Sequence, residues 1–89
     1  MSQLKYDNLP YNKNMEDIKV VFKNRLKELR DEKGLSQQAL AKKLNYTQTC
    51  IAKWESGTRS PSIENLAVLA RFFEVSADYL LGLEDYDRF

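Results

Sequence analysis

The side chains with the clearest capacity for chemistry lie close together, in the stretch 48–53. Gln48 offers an amide, Thr49 a hydroxyl and Lys53 an ammonium group. These groups donate and accept hydrogen bonds, and the ammonium group adds a positive charge. The chain contains no histidine, no spacing of metal ligands and no glycine-rich phosphate loop. The pattern therefore indicates binding by hydrogen bonds and predicts no enzyme, no metal and no cofactor.

Two short helices joined by a tight corner position these side chains. The helical period of the apolar residues predicts both helices and their buried faces. It is carried by Leu40, Ala41, Leu44, Ile51 and Trp54. Ser36 and Thr47 each precede a helix and can cap it through a hydroxyl oxygen. Asn45 makes the corner, because asparagine tolerates a positive φ. Since the apolar residues face the core, the polar residues at 48, 49 and 53 must lie on the opposite face.

Three further helices are predicted to hold this corner. They cover residues 17–33, closed by Gly34, then residues 62–73, and finally residues 76–82. The buried stripe predicted for the helix over 62–73 consists of Ile63, Leu66, Leu69, Ala70 and Phe73. No stretch alternates polar and apolar residues long enough for a strand. The predicted fold class is therefore all-α, with five helices.

A chain of 89 residues allows one small domain. We expect a leader or arm over residues 1–17, the domain over 18–83 and an acidic tail over 84–89. Two interpretations of the leader stay open. It is either a mobile leader of the kind common at chain termini, or an arm that packs its apolar residues on the domain or on a second subunit. Those residues are Leu4, Tyr6, Leu9, Tyr11 and Met15.

Charge is distributed unevenly along the chain, although the net charge is only +1. Residues 19–59 hold ten bases and four acids, whereas residues 60–89 hold two bases and six acids. This asymmetry predicts one basic face and one acidic end. The apolar fraction of 43% is typical of a globular protein.

Cysteine usage and hydropathy bear on the compartment. Cys50 is the single cysteine, so an intramolecular disulfide is impossible and a reducing intracellular setting is the simpler assumption. The sequence has no signal peptide and no apolar run of membrane length. We expect a cytoplasmic protein without a membrane partner.

Residues 20–82 closely resemble the phage-repressor and Cro-like helix-turn-helix family, the xenobiotic-response-element type of transcription regulator. The resemblance is carried by the segments KGLSQQALAKKL, TQTCIAKWESGTRSPSIENLAVLARFF and SADYLLG. Its specific marks are Gln37 opening the first helix of the corner, Ala41 at the tight crossing, and Trp-Glu-Ser-Gly at the end of the second. It implies a five-helix, lambda-repressor-like DNA-binding domain with a central helix-turn-helix. The sequence departs from the family at Asn45, where glycine is usual.

The same resemblance implies a division of roles among the polar residues. In the docking geometry of the family, the helix after Thr47 lies in the major groove. The implied base-reading residues are Gln48, Thr49 and Lys53. The implied contacts to the DNA backbone come from Gln37, Lys43, Thr47 and Arg59. Glutamine can pair with adenine and lysine can donate to guanine, so these residue types suit those positions.

The resemblance also implies a buried ion pair between Arg30 and Glu55, which ties the first helix to the end of the recognition helix. The last helix is short for its apolar content, and we expect it to form the contact between two subunits. The candidates for this contact are Tyr79, Leu80, Leu81 and Leu83.

Two functions from different classes follow. The first is a sequence-specific regulator that binds double-stranded DNA, a repressor acting as a homodimer on an inverted-repeat operator. The alternative is a protein-interaction module, such as an adaptor or an antitoxin-like partner, which the aromatic leader and tail would serve. No small-molecule effector is evident, so a signal would act through a partner, the arm or proteolysis.

Overall fold

The computed structural model describes residues 15–84, with side chains from Ile18 onward. It contains five helices, and no strand occurs in this part of the chain. They are α1 Met15–Glu32, α2 Gln37–Leu44, α3 Gln48–Ser56, α4 Ile63–Phe73 and α5 Ala77–Leu81. The predicted all-α fold with five helices is confirmed. α1 begins before the domain boundary expected at residue 18, while residues 1–14 of the leader and 85–89 of the tail lie outside the described residues.

Four of the helices begin with the same local device. The hydroxyl oxygen of the residue before the helix accepts a hydrogen bond from the backbone N–H three residues later, at 2.9–3.2 Å. The capping residues are Ser36, Thr47, Ser62 and Ser76. Each cap satisfies a donor that the first turn of the helix leaves without a partner. The caps therefore fix where these helices start.

The same four helices end in the left-handed region, at Asn45, Gly57, Glu74 and Gly82. Glycine is required at position 82, since a Cβ there would lie 2.9 Å from Cγ1 of Val21. This close approach packs the end of α5 against α1. Glu74, with φ of 58°, is the unexpected member, because glutamate has no particular tolerance for this conformation.

The core lies between α1, α3, α4 and α5 and includes the inner face of α2. Its fully buried members include Leu26, Leu40, Ile51, Trp54, Leu69 and Leu80. Tyr46 packs edge-to-face on Trp54, with ring centroids 5.4 Å apart, and its hydroxyl donates a hydrogen bond of 2.8 Å to Oδ1 of Asn65. The corner is therefore tied to α4. Burial, together with the nearby Cys50, raises the pKa of the Tyr46 phenol.

Two sequence predictions need correction. Ile63 was placed in the buried stripe of α4, but it is 85% exposed. It occupies the first position of the helix, directly after the cap, where α4 has not yet reached the core. Leu80 was expected to contact a second subunit, but it is 0% exposed because α1 and α4 pack over α5. The other candidates for that contact, Tyr79, Leu81 and Leu83, are half-buried.

Arg25 on α1 holds the end of the described chain. Its guanidinium lies 4.0 Å above the ring of Tyr79, and Nη1 donates hydrogen bonds to the carbonyl of Tyr79 and, at 2.8 Å, to that of Glu84. These contacts attach α5 and the segment after it to α1. Among the described helices, none is long and apolar enough to cross a membrane.

Candidate nucleic-acid interface

The corner between α2 and α3 is closed by backbone hydrogen bonds. Asn45 adopts φ of 62°, and the N–H of Tyr46 donates to the carbonyl of Ala41 at 2.8 Å. Leu40 and Ile51 are fully buried and pack the two helices onto the core. The start of α3 is thus held at a fixed angle to α2, with its first residues at the surface.

A chain of hydrogen-bonded side chains runs from the protein interior to the first residue of α3. Nε2 of Gln48 donates to Oε1 of Gln37 at 3.2 Å. Nε2 of Gln37 in turn donates to Oε1 of Glu55 at 3.1 Å. Gln37 and Gln48 each open one helix of the corner, so the meeting of the two helix starts brings their amides together. The amide of Gln48 is therefore oriented from within the protein.

The inner end of this chain is the ion pair of Arg30 and Glu55. Nε and Nη2 of the arginine bind the two carboxylate oxygens at 2.6 and 2.9 Å, a bidentate geometry. Nη1 donates to the carbonyl of Leu35 at 2.7 Å, between α1 and α2. The hydrogen bonds to Glu55 raise the pKa of the Arg30 guanidinium, an effect that burial partly opposes. The pair is almost excluded from solvent, with side-chain exposures of 9% and 4%.

The residues expected to read bases occupy the outer face of α3. Gln48 and Thr49 are exposed in the first turn, and Lys53 is half-buried near its end. The backbone N–H of Arg59 donates to the carbonyl of Lys53 at 3.2 Å, so the loop after α3 folds back beside that lysine. The structure therefore brings Arg59 close to the end of α3.

The structure brings together only some of the residues that are expected to contact the DNA backbone. Gln37 lies beside Gln48, as described above. The hydroxyl of Thr47 accepts from the N–H of Cys50 at 3.2 Å and keeps its own proton as a donor. Lys43 is exposed near the end of α2, and no contact links it to the start of α3.

The electrostatics of the corner favour an anion. Neither α2 nor α3 has an acidic residue in its first turn, although α4 and α5 have Glu64 and Asp78 there. The positive ends of the two helix dipoles are therefore not compensated by side chains. Between residues 37 and 59 the only acid is Glu55, which is already paired with Arg30. The corner can therefore donate hydrogen bonds to a polyanion and read acceptors and donors along it.

Sequence reasoning named each member of the polar chain but missed two of its bonds, Gln37 to Glu55 and Gln48 to Gln37. The only signal in the sequence was that each glutamine directly follows a helix cap, because their contact depends on the angle between the two helices. Within the described residues, no group of histidine, cysteine or acidic residues is arranged to hold a metal ion.

Known proteins match this chain over the same region. The helix-turn-helix family matches residues 26–80. A transcriptional activator from Enterococcus faecalis, BcrR, is 42% identical over 64 residues, which cover 72% of this chain and 31% of the relative. The transcriptional regulator AnsR of Bacillus subtilis is 46% identical over 61 residues, covering 68% of this chain and 53% of the relative. The RstR repressor of a cryptic Vibrio cholerae phage is 31% identical over 55 residues, covering 62% and 50%.

A solved structure supports the fold. The hypothetical transcription factor NHTF from Neisseria superimposes with a TM-score of 0.70 at 24% identity and covers 81% of each chain. The chain spans about half the length of most of the curated relatives it matches, from 31% to 59% among the first five. The family match covers more than half of the chain, including all of the corner, all of α4 and parts of α1 and α5. The chain therefore belongs to the phage-repressor and Cro-like helix-turn-helix family.

Proposed function

We propose that this protein is a sequence-specific regulator that binds double-stranded DNA through the outer face of α3. The observation that carries the proposal is the orientation of the Gln48 amide. Its Nε2 donates to Gln37, which is bound in turn to the buried carboxylate of Glu55. A side chain held in this way loses less conformational freedom on binding than a free surface glutamine.

The held amide retains the groups that base recognition needs. Gln48 uses one amide N–H for Gln37 and keeps the other N–H and its carbonyl oxygen. A glutamine can present such a pair to N7 and N6 of adenine in the major groove. Thr49 and Lys53, on the same outer face, are the other proposed base readers. Each good paired contact contributes about 1–3 kcal/mol of discrimination between bases.

The DNA backbone would be bound by the N-terminal ends of α2 and α3 and by two exposed cations. Gln37 lies at the uncompensated N-terminus of α2, where backbone N–H groups and the helix dipole favour a phosphate. The free hydroxyl proton of Thr47 is a second donor. Lys43 and Arg59 are exposed cations that would add charge on either side.

Three base readers give a preference but do not specify a long site, so a second copy is required. We propose a homodimer on an inverted repeat, with its contact at the exposed parts of Tyr79, Leu81 and Leu83. Among the relatives, BcrR is named an activator and RstR a repressor. We favour repression, because occupancy of the DNA by a bound domain is enough to block access to it.

Titration of fluorescent DNA fragments tests the assignment of the base readers. Gln48→Ala should lose most of the preference for a bound fragment over a scrambled one, while Glu64→Gln, which changes an exposed residue outside the proposed contacts, should keep it. Equal preference in the wild type and in Gln48→Ala would remove the recognition role of Gln48.

Salt dependence tests the phosphate contacts. With about six to ten contacts in a dimer, affinity should fall about 10³- to 10⁵-fold between about 50 and about 200 mM salt. An affinity for DNA that does not change with salt concentration would instead favour a protein partner for this face.

A further inference from the structure

An apolar groove opens on the side of the domain, beside the N-terminal end of α1. Its volume is about 160 Å³. Its floor is formed by Ile18, Phe22, Trp54, Leu66 and Leu81, which come from four of the five helices. We call this feature the α1 groove. None of the proposed DNA contacts uses this apolar floor, and Leu81 is the only residue of the proposed dimer contact that reaches it, so the groove requires a separate explanation.

The size of the α1 groove suits one aromatic ring. A dry protein cavity of about 150 Å³, lined by apolar side chains, binds benzene. The α1 groove has nearly the same volume and is likewise lined by aliphatic and aromatic side chains. A single ring would therefore fill it, whereas a whole helix would not fit.

The edge of the α1 groove also favours an aromatic occupant. Lys19 and Arg59 line this edge, both are exposed, and neither has an ion-pair partner among the described residues. Cations attract the faces of aromatic rings. The domain uses this contact elsewhere, with Arg25 4.0 Å above the ring of Tyr79 and Lys33 5.4 Å above that of Phe72.

The chain itself supplies an aromatic residue at this point. α1 begins at Met15, and Ile18, one helical turn further on, lies on the groove floor. Tyr11 is four residues before Met15, so its Cα can lie at most about 14 Å away. Asn12 and Asn14 stand between them, and asparagine is a preferred turn residue, so the chain can reverse there.

We propose that the α1 groove is the docking site of the leader and that the ring of Tyr11 fills it. A free ligand of one ring would bind weakly, because the burial of one small apolar surface barely offsets the freedom that the ligand loses on association. A tether of a few residues holds the ring at an effective concentration in the millimolar range, so weak intrinsic affinity is sufficient. Docking also restricts the loop that carries Arg59.

The acidic tail is the rival occupant within the chain, because it contains Tyr86 and Phe89. The last described residue, Glu84, contacts Arg25 and Ser76, neither of which lines the groove. Its carbonyl binds Arg25 at 2.8 Å, and its carboxylate lies 3.4 Å from the hydroxyl of Ser76, the cap of α5. Leu81, at the opposite end of α5, is the residue that lines the groove. At the last residue that the structure describes, the chain is therefore held against Arg25 and Ser76 and not against the groove.

Nuclear Overhauser effects in the full-length protein test the proposal. The ring protons of Tyr11 should show contacts with the methyl groups of Ile18, Leu66 and Leu81. Tyr11→Ala should lower Tm by about 5 °C, the usual effect of losing one modest contact in a domain of this size. Tyr11→Phe keeps the ring and should keep both the contacts and Tm. Tyr86→Ala is the matched control and should leave Tm unchanged.

Three results would overturn the proposal. The first is a Tyr11 ring without contacts to the groove methyls, combined with an unchanged Tm in Tyr11→Ala. The second is that Tyr86 makes those contacts in place of Tyr11. The third is that the contacts occur only between differently labelled chains in a mixed sample, which would make a second copy the occupant. None of these results depends on whether the α3 face binds DNA.

Discussion

The corner formed by α2 and α3 and the pair formed by α4 and α5 are built alike but charged differently. All four helices start with a hydroxyl cap and end in the left-handed region. From residue 37 to 59 there are four bases and one acid, whereas residues 60–84 contain one base and four acids. Only the corner leaves the first turns of its helices without an acid.

This difference separates what makes the fold from what makes the binding face. Caps, helix ends and buried periods act in the same way in both regions, so they account for the architecture. The charge pattern is free to vary because it lies on the surface. In the corner it leaves the helix starts without acids, on the face that we propose binds DNA, while in the C-terminal pair it compensates the helix dipoles. We therefore expect substitutions to affect stability in both regions but DNA binding in only one.

The largest expected effect concerns the ion pair between Arg30 of α1 and Glu55 of α3, which holds the corner on the rest of the domain. Glu55→Gln removes the buried counter-charge of Arg30 and leaves its guanidinium only the exposed carboxylate of Asp31, 3.4 Å from Nη1. It should lower the free energy of unfolding by about 3–5 kcal/mol. Chemical denaturation measures the change. Lys27→Gln is the control, because Lys27 and Asp31 form an exposed pair with a distance of 3.1 Å and side-chain exposures of 60% and 55%. It should cost at most about 0.5 kcal/mol. Equal losses in the two variants would mean that the buried pair has no special role.

The next largest effect on stability comes from the helix ends. The corner and the C-terminal pair each have one non-glycine residue with a positive φ, Asn45 and Glu74. Glu74→Gly should raise the free energy of unfolding by about 1 kcal/mol, because glutamate is strained at φ of 58°. Asn45→Gly should gain less, since asparagine tolerates its φ of 62°. Thermal unfolding of the two variants compares the gains. A larger gain at position 45 would contradict this account of the two ends.

Charge at the first turns should separate stability from binding. Gln38→Glu places an acid in the exposed first turn of α2, so it should stabilise the domain by about 0.3–1 kcal/mol and weaken DNA binding. Glu64→Gln removes the acid from the first turn of α4 and should lose a similar amount of stability without changing the affinity for DNA. Denaturation and a DNA titration of both proteins measure the two effects. If Gln38→Glu binds DNA as tightly as the wild type, the start of α2 does not meet phosphate.

The smallest expected effect is a pH dependence of the free energy of unfolding. It comes from Tyr46, which joins the corner to α4 through its hydrogen bond to Asn65. Burial raises the pKa of Tyr46 above its ordinary value in the folded state. The stability that depends on the neutral phenol is therefore fully present below about pH 10 and is lost as the pH rises through the folded-state pKa. The advantage of the wild type over Tyr46→Phe should be constant up to about pH 9 and shrink as the pH rises above about 10. A constant difference would show that the phenol titrates equally in the folded and unfolded chains.

Sequence was a good guide where a local rule decides the structure. Thr47 as a cap and Asn45 as a corner follow from side-chain chemistry, and the pairing of Arg30 with Glu55 followed from helical spacing and the family resemblance. Ile63 and Leu80 were misassigned for a physical reason. A helical period shows which face of α4 is apolar, but it does not show that Ile63 lies before the core begins. It also does not show that α1 and α4 cover Leu80. The bond between Gln37 and Gln48 depends on the angle between two helices, which no single segment encodes.

Selection of bound sites from a random DNA pool tests the central claim most directly, with the wild type and Gln48→Ala compared side by side. The wild type should enrich an inverted repeat whose half-sites lie about 34–36 Å apart from centre to centre. Gln48→Ala should lose the preference at one position in each half-site. No enriched motif, or the same motif in both proteins, would contradict the assignment of the outer face of α3 as the surface that reads DNA.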